Sequence, residues 1–238
     1  MEQAARKRRP RERGYARGEE ARLRIVAAAI PLFSHKGYDG VSTREIAARA
    51  GVRPAALQYY FGGKEGLYGV CGEHVANRIG HVVEPQMLRA ERLLAGGAAA
   101  ATLIEAYCDI VESLADLLFG EAEAAGWAAF FATGQAGVGP CIAFSLLRLR
   151  FFDRMHAVGA AMIGRLTGRS AEDLETRLRF FAIEGQLMMF HTARRAVLTH
   201  LGRESFGPGH ARLIKSLIVD QTRILLSQMA AARTKTAP

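Results

Sequence analysis

The sequence predicts an all-α protein, and three observations support this fold class. Apolar residues recur at intervals of three and four along several segments, which is the period of an amphipathic helix. Residues that start or stop helices separate these segments, among them the capping sequence Ser42-Thr43-Arg44-Glu45 and the pair Gly62-Gly63. The sequence shows neither strand-like alternation nor a repeat of fixed period. We expect a three-helix N-terminal domain followed by a larger helical domain.

The N-terminal segment combines a basic arm with an amphipathic helix. Residues 1–18 hold seven Lys or Arg and two Glu, and predict a flexible arm. This arm is either a solubilising tail or a segment that follows DNA phosphates. From Glu19 a helix is expected, with Pro31 bending or loosening it. Its apolar stripe consists of Ile25, Ala28, Ala29, Leu32 and Phe33.

Residues 41–67 predict two short helices joined by a tight turn and followed at once by another helix start. Gly51 lies where a residue that ends a helix takes positive φ without a steric cost. Pro54 marks the start of the second helix, which Gly62 ends. The second helix of such a pair can enter the major groove while the first crosses the phosphate backbone. The pattern predicts a helix-turn-helix at residues 42–61.

Most of the positive charge lies in the first quarter of the chain. The whole sequence carries a formal net charge of +9. Residues 1–64 hold 14 Lys or Arg against 6 Asp or Glu, whereas residues 65–238 hold 18 against 17. A basic patch in the same segment as a groove-sized helix pair is typical of a nucleic-acid-binding domain. Charge and motif together predict double-stranded DNA as a partner.

These motifs resemble the DNA-binding domain of TetR-family transcriptional regulators. The similarity is carried by Gly37-Tyr38, Ser42-Thr43-Arg44-Glu45-Ile46-Ala47, Ala50-Gly51-Val52, Tyr59-Tyr60-Phe61 and Lys64-Glu65-Gly66-Leu67. The C-terminal half is similar to the CecR-type subgroup around Gly185-Gln186 and residues 190–195. The resemblance implies a homodimer that binds a palindromic operator and is released by a small ligand. It also implies a DNA-binding domain at residues 19–79 and a ligand-binding and dimerisation domain at residues 80–238.

The resemblance implies a set of DNA contacts, and the residue chemistry fits them. Arg44 suits phosphate or guanine equally well, Gln58 suits adenine, and small alanines let the helix approach thymine methyls. Lys64 adds a charge at a helix N-terminus that favours phosphate. Arg53 replaces a usual capping Ser and adds a contact, and Gln58 replaces a usual Tyr. The full set is Thr43, Arg44, Arg53, Pro54, Ala55, Ala56, Gln58, Tyr59, Tyr60 and Lys64, with one of the two tyrosines mainly structural.

The remaining sequence predicts longer helices. Helices are expected at residues 64–82, 102–119 and 144–166, the last of which is ended by Thr167-Gly168. A further helix is expected at residues 170–200, and a final one follows the turn at 206–209 and continues to Ala230. Residues 170–200 are apolar on two faces, so a domain core and a partner subunit are expected to cover one face each. The expected dimer contacts are Leu178, Phe181, Gly185, Ile214, Leu217, Ile218, Gln221 and Leu225.

Aromatic and Met side chains in the C-terminal half form a candidate ligand pocket. Its expected lining is Trp127, Phe131, Phe144, Phe151, Met155, Met188, Phe190 and Arg194. Met and aromatic side chains at helical spacing are more often part of an ordinary core. Arg194 anchors either an anionic ligand or a dimer salt bridge. Ligand-independent repression, with a C-terminal domain that serves dimerisation alone, is the alternative to a ligand-released repressor.

The sequence does not favour an enzyme, a metal site or a cofactor. The seven histidines form no i, i+4 pair with an acidic partner, and the glycines at 134–139 lack the flanking residues of a phosphate loop. Cys71, Cys108 and Cys141 are expected to be buried hydrophobes, with a redox sensor as the alternative. Glycines and a proline interrupt the uncharged run 124–147, and no export signal is visible. We expect a soluble, cytoplasmic protein.

Overall fold

The computed structural model describes residues 11–120, 127, 140, 145 and 148–236, and within these ranges the regular elements are helices. In chain order they are α1 (Arg11–Lys36), α2 (Thr43–Ala50), α3 (Ala55–Phe61), α4 (Lys64–Ala95), α5 (Ala100–Gly120), a π-helical turn (Arg148–Phe152), α6 (Asp153–Thr167), α7 (Leu174–Thr192), α8 (Arg194–His200) and α9 (Pro208–Thr236). The predicted all-α class is confirmed. Among these helices, none has the length and hydropathy needed to cross a membrane.

α2 and α3 form the predicted helix-turn-helix. Ser42 caps α2, because its hydroxyl oxygen accepts a 3.1 Å hydrogen bond from the Glu45 amide. The Glu45 carboxylate does not complete the capping box; it accepts a hydrogen bond from Lys36 and joins the end of α1 to α2. Gly51, with φ 66°, ends α2 in the left-handed region, and Pro54 precedes α3 with helical dihedral angles.

α1 starts earlier than the sequence predicts. It begins at Arg11 instead of Glu19 and continues through Pro31. Part of the expected flexible arm is therefore helical backbone. Gly18 lies against α3, since a Cβ added there would be 3.4 Å from the Tyr60 hydroxyl. This contact gives the last residue of the expected arm a neighbour that its composition does not reveal.

A buried apolar cluster holds α1, α2, α3 and the start of α4 together. It contains Ile25 and Phe33 from α1, Ile46 from α2, Leu57 from α3 and Leu67 from α4. Because Leu57 points into this cluster, the opposite face of the short helix α3 remains in solvent. The core therefore determines which side of α3 is presented to a partner.

α4 connects the helix-turn-helix to the rest of the chain as one continuous helix. It extends to Ala95, well past the predicted end near Val82, and it contains Pro85. A proline removes one helical hydrogen bond and usually kinks or ends a helix. Here α4 packs against α5 and α6, and this packing offsets the cost.

The C-terminal helices pack around α5. α5 contacts α4 and α9, and α6 packs against α4, α7 and α9. α6 ends at Thr167 with Gly168 at φ 76°, as predicted. The segment predicted as one helix over residues 170–200 is instead the pair α7 and α8, which meet at Ala193. α9 continues to Thr236, past the predicted end at Ala230.

Candidate nucleic-acid interface and effector cavity

α3 presents one exposed face. Leu57 is buried, whereas Pro54, Ala55 and Gln58 are exposed and Tyr59 keeps 82% of its surface accessible. Residues 58 and 59 lie about one turn after residue 55, so the three form a single surface. The small Ala55 permits close approach, and the Gln58 amide offers a donor and an acceptor that match adenine. This surface has the size and chemistry to read a major groove.

The two tyrosines of α3 have different roles. Tyr60 is half-buried near Gly18, and its ring meets Tyr59 edge-on with 4.9 Å between centroids. Tyr60 therefore packs against the protein, whereas Tyr59 lies in solvent on the exposed face of α3. Of the other predicted contacts, Thr43 and Ala56 are half-buried.

Cations lie on both sides of the exposed face of α3. The expected DNA contacts Arg44 and Arg53 are exposed, and so is Arg49, which sequence reasoning did not select. Lys64 is half-buried, and its ammonium lies 4.2 Å from the centroid of the Tyr38 ring. This cation–π contact holds the charge beside the N-terminus of α4, where backbone amides also favour phosphate.

Two small cavities lie among α4, α5, α6 and α7, and we call them the inner cavities. Each has a volume of about 30 Å³. They share Leu114, Met155, Glu184 and Leu187. Other lining residues are Tyr107, Gly159 and Phe180 on one side and Phe151, Phe152, Met188 and His191 on the other. The two successive phenylalanines come from the π-helical turn, a wider turn that often occurs at functional sites.

Of the residues expected to line the pocket, Phe151, Met155 and Met188 line the inner cavities. Trp127 is 1% exposed and lines neither of them. Phe190 is half-buried and also absent from their walls. Arg194 lies 4.6 Å from the Phe206 ring centroid and lines a separate groove of about 470 Å³ between α5 and α9. Phe131 and Phe144 lie outside the described residues.

Two buried titratable residues that the sequence prediction omitted line the inner cavities. Burial raises the pKa of Glu184 to about 7, so a large fraction of this carboxyl is neutral near physiological pH. Burial, with a smaller effect of Arg194, lowers the pKa of His191 to about 4. The ring Nε2 of His156 lies 3.6 Å from Glu184, and burial also lowers the pKa of His156. A lone carboxylate within the apolar run 180–190 was the available sequence signal.

A strip of exposed apolar side chains runs along α7 and α9. Leu178, Phe181, Leu217 and Leu225 are exposed on it, with Gly185 and Gln221 beside them. The other exposed apolar members are Leu174, Leu213 and Ile224. Ile214 and Ile218 were predicted as interface residues, but both are buried inside the protomer, because α9 turns this side toward its own core.

A charged contact links α6 to α4. The Arg154 guanidinium donates two 2.8 Å hydrogen bonds to the Glu91 carboxylate and one of 2.6 Å to Glu84. The two glutamates flank Pro85 on α4, while Met155, next to Arg154, lines the inner cavities. Arg154 therefore joins the cavity wall to the helix that leads to the helix-turn-helix.

The described cysteines have the properties of core residues. Cys71 and Cys108 are both buried. Burial raises the pKa of each thiol, that of Cys108 to about 11, which disfavours the reactive thiolate. Cys141 lies outside the described residues.

Two family descriptions match the chain. Residues 25–71 match bacterial regulatory proteins of the tetR family. Residues 103–229, more than half of the chain, match the C-terminal domain of the HTH-type transcriptional dual regulator CecR. The HTH-type transcriptional dual regulator CecR of Shigella flexneri is 29% identical over 218 residues, which cover 90% of this chain and 95% of that protein.

Solved structures share the same fold. AibR in complex with isovaleryl coenzyme A and operator DNA superposes with a TM-score of 0.59 at 15% identity, over 84% of this chain and 97% of that chain. FadR from Bacillus subtilis in complex with stearoyl-CoA has a TM-score of 0.52 at 18% identity, over 83% of this chain and 97% of that chain. The chain therefore belongs to the TetR family of DNA-binding transcriptional regulators and carries a CecR-type C-terminal domain.

Proposed function

We propose that the protein is a homodimeric repressor that binds a palindromic operator through α2 and α3 and leaves it when a small, mostly apolar molecule enters the inner cavities. The exposed face of α3 carries the proposal. It combines groove-compatible Ala55, Gln58 and Tyr59 with flanking cations on α2 and the turn. We assign residues 19–79 to DNA binding, with α1 extending toward Arg11, and residues 80–238 to effector binding and dimerisation.

Dimerisation is supported by the exposed apolar strip on α7 and α9. A monomer seldom exposes a row of Leu, Ile and Phe side chains, whereas a twofold interface of about 2,000 Å² would cover it. Two copies of α3 would then face successive half-sites of a palindrome.

An effector is supported by the inner cavities and by the two neighbours, which were solved with acyl-coenzyme A molecules. The size of the inner cavities favours the alternative of ligand-independent repression, because about 30 Å³ holds no more than a water or two. The effector proposal therefore requires the cavity walls to move.

In vitro selection of bound DNA tests the operator proposal. Arg44→Ala should weaken binding to all sequences and reduce the magnitude of the salt slope by about one unit per lost phosphate contact. Gln58→Ala should change the preferred base at one position in each half-site. Arg195→Ala removes an exposed cation from α8 and is the matched control, with no expected effect. Unchanged selection by Gln58→Ala together with an unchanged salt slope for Arg44→Ala would contradict the assignment.

A further inference from the structure

Glu184 is exposed to both inner cavities and to a groove on the outer side of α6 and α7. The outer groove has a volume of about 330 Å³, and its walls include Phe152, His156, Phe181 and Glu184. The Glu184 side chain is 15% exposed, so its carboxylate lies between the outer groove and the interior. Phe181 also belongs to the exposed apolar strip, so the groove borders the proposed dimer interface.

The described walls of the inner cavities carry charge of one sign. Among the described residues that line them there is no Lys or Arg, and Glu184 is the single carboxylate. His191, with its lowered pKa, stays neutral near pH 7. An anionic ligand would find no opposite charge in these walls, whereas a cation would find a partner that is otherwise costly to ionise.

The other walls suit the apolar body of a cation. Phe180 lies on one side of the shared wall and Phe151 and Phe152 on the other, and aromatic faces attract organic cations. Met155 belongs to both inner cavities. A Met side chain adopts many conformations, so its displacement would join the two volumes.

We propose that the inner cavities bind a hydrophobic organic cation, whose charged nitrogen pairs with Glu184 and whose apolar part displaces Met155. The ligand nitrogen takes the place of His156, whose Nε2 lies 3.6 Å from the carboxylate. This inference rests on the proposed effector function and names the ligand class. It separates the protein from its structural neighbours that were solved with acyl-coenzyme A molecules, which carry phosphates.

Three compounds of equal chain length test the class on the full-length protein. Octylamine, which is protonated at pH 7, octanol and octanoate are titrated calorimetrically, and operator affinity is measured with each. We expect octylamine to bind about tenfold or more tightly than octanoate and to lower operator affinity. Glu184→Gln should weaken the binding of octylamine at least about tenfold, while it should change the affinity for octanol less than about threefold. Glu112→Gln removes an exposed carboxylate of α5 and should leave all three affinities unchanged.

The outcomes separate the ligand class from the effector function. Tighter binding of octanoate than of octylamine, or equal octylamine affinity in Glu184→Gln and the unmodified protein, overturns the cation assignment. If octanol or octanoate releases the operator and octylamine does not, the effector function stands and the class is wrong. If no compound binds while operator binding is intact, both the class and the effector cavity are wrong. The comparison of the three compounds on the unmodified protein does not depend on the folding of any variant.

Discussion

At the scale of single residues, Glu184 and His191 define the polarity of the inner cavities, and burial moves their pKa values in opposite directions. The folded-state pKa of Glu184, about 7, exceeds its ordinary value of 4.5. Between these values the folded chain keeps a proton that the unfolded chain has lost, so stability falls as pH rises. For His191 the folded-state pKa of about 4 is below the ordinary 6.5, so its contribution to stability rises with pH between these two values.

Replacement of Glu184 should separate its contribution to the pH dependence of stability from the opposite contribution of His191. Subtracting the unfolding free energy of Glu184→Gln from that of the unmodified protein cancels the contributions of other groups. The difference should decrease by about 3 kcal/mol as pH rises from about 4.5 to about 7. Urea unfolding at a series of pH values measures it, and Glu112→Gln serves as the control. Parallel pH profiles for Glu184→Gln and the unmodified protein would contradict the assigned pKa.

At the scale of secondary-structure elements, α4 is the physical link between the inner cavities and DNA. Its N-terminus lies beside α3, and its middle is held by Arg154 on both sides of Pro85. Met155, which the proposed ligand displaces, follows Arg154 in the same turn of α6. The contact is therefore placed to transmit a movement of the cavity wall to the helix-turn-helix.

Arg154→Met should uncouple the two sites. We expect the fold-change in operator affinity caused by an effector, which is typically 5–150-fold in coupled proteins, to decrease about fivefold or more in this variant. Operator affinity and effector affinity are measured separately, each with and without the other ligand. Arg169→Met breaks ion pairs with Asp173 and Glu175 that do not involve α4, and it should leave the coupling intact. A coupling factor equal to that of the unmodified protein would show that α4 receives the signal elsewhere.

Element boundaries show how far the sequence predicts this fold. The helix-turn-helix was predictable because Ser42, Gly51 and Pro54 each act locally, through a cap, a positive φ and a fixed φ. The end of α4 was not predictable, because Pro85 signals a break in the helix that packing against α5 and α6 overrides. The break at Ala193 was not predicted, because no Gly or Pro marks it in the sequence.

The candidate sites were predictable to different degrees. The proposed DNA-contacting residues follow from the motif and the family resemblance, and several of them lie on the exposed face of α3; the exposed Arg49 was not among them. Ile218 and Leu217 are both apolar, so composition cannot tell which side of α9 faces its own core; only the packed structure separates them. Glu184 was omitted because the pocket prediction followed aromatic and Met residues.

At the scale of the whole molecule, the exposed apolar strip predicts the oligomeric state. Phe181 is 51% exposed on α7, and the twofold axis of a dimer would bring two copies of the strip together. Phe181→Glu should raise the dimer dissociation constant about 100-fold or more, because it buries two like charges at the interface. Sedimentation at micromolar concentration should change from a dimer to the 25.9 kDa monomer.

Leu88→Glu is the matched control for this experiment. Leu88 is similarly exposed but lies on α4, away from the strip, so its charge should leave the dimer intact. A monomeric unmodified protein, or equal dissociation constants for Phe181→Glu and Leu88→Glu, would show that the strip has another role.

The positive charge concentrated in residues 1–64 of the sequence also affects how the protein finds DNA. A molecule with a net +8 in residues 1–64 and near neutrality in residues 65–238 behaves as an electric dipole in the field of the phosphate backbone. This dipole orients the molecule with residues 1–64 toward the DNA, so a larger share of diffusional collisions brings α3 to a groove. The same charge holds it on non-operator DNA, where it slides and hops during the search for its site. Rising ionic strength therefore shortens each visit and slows the arrival of the regulator at its operator.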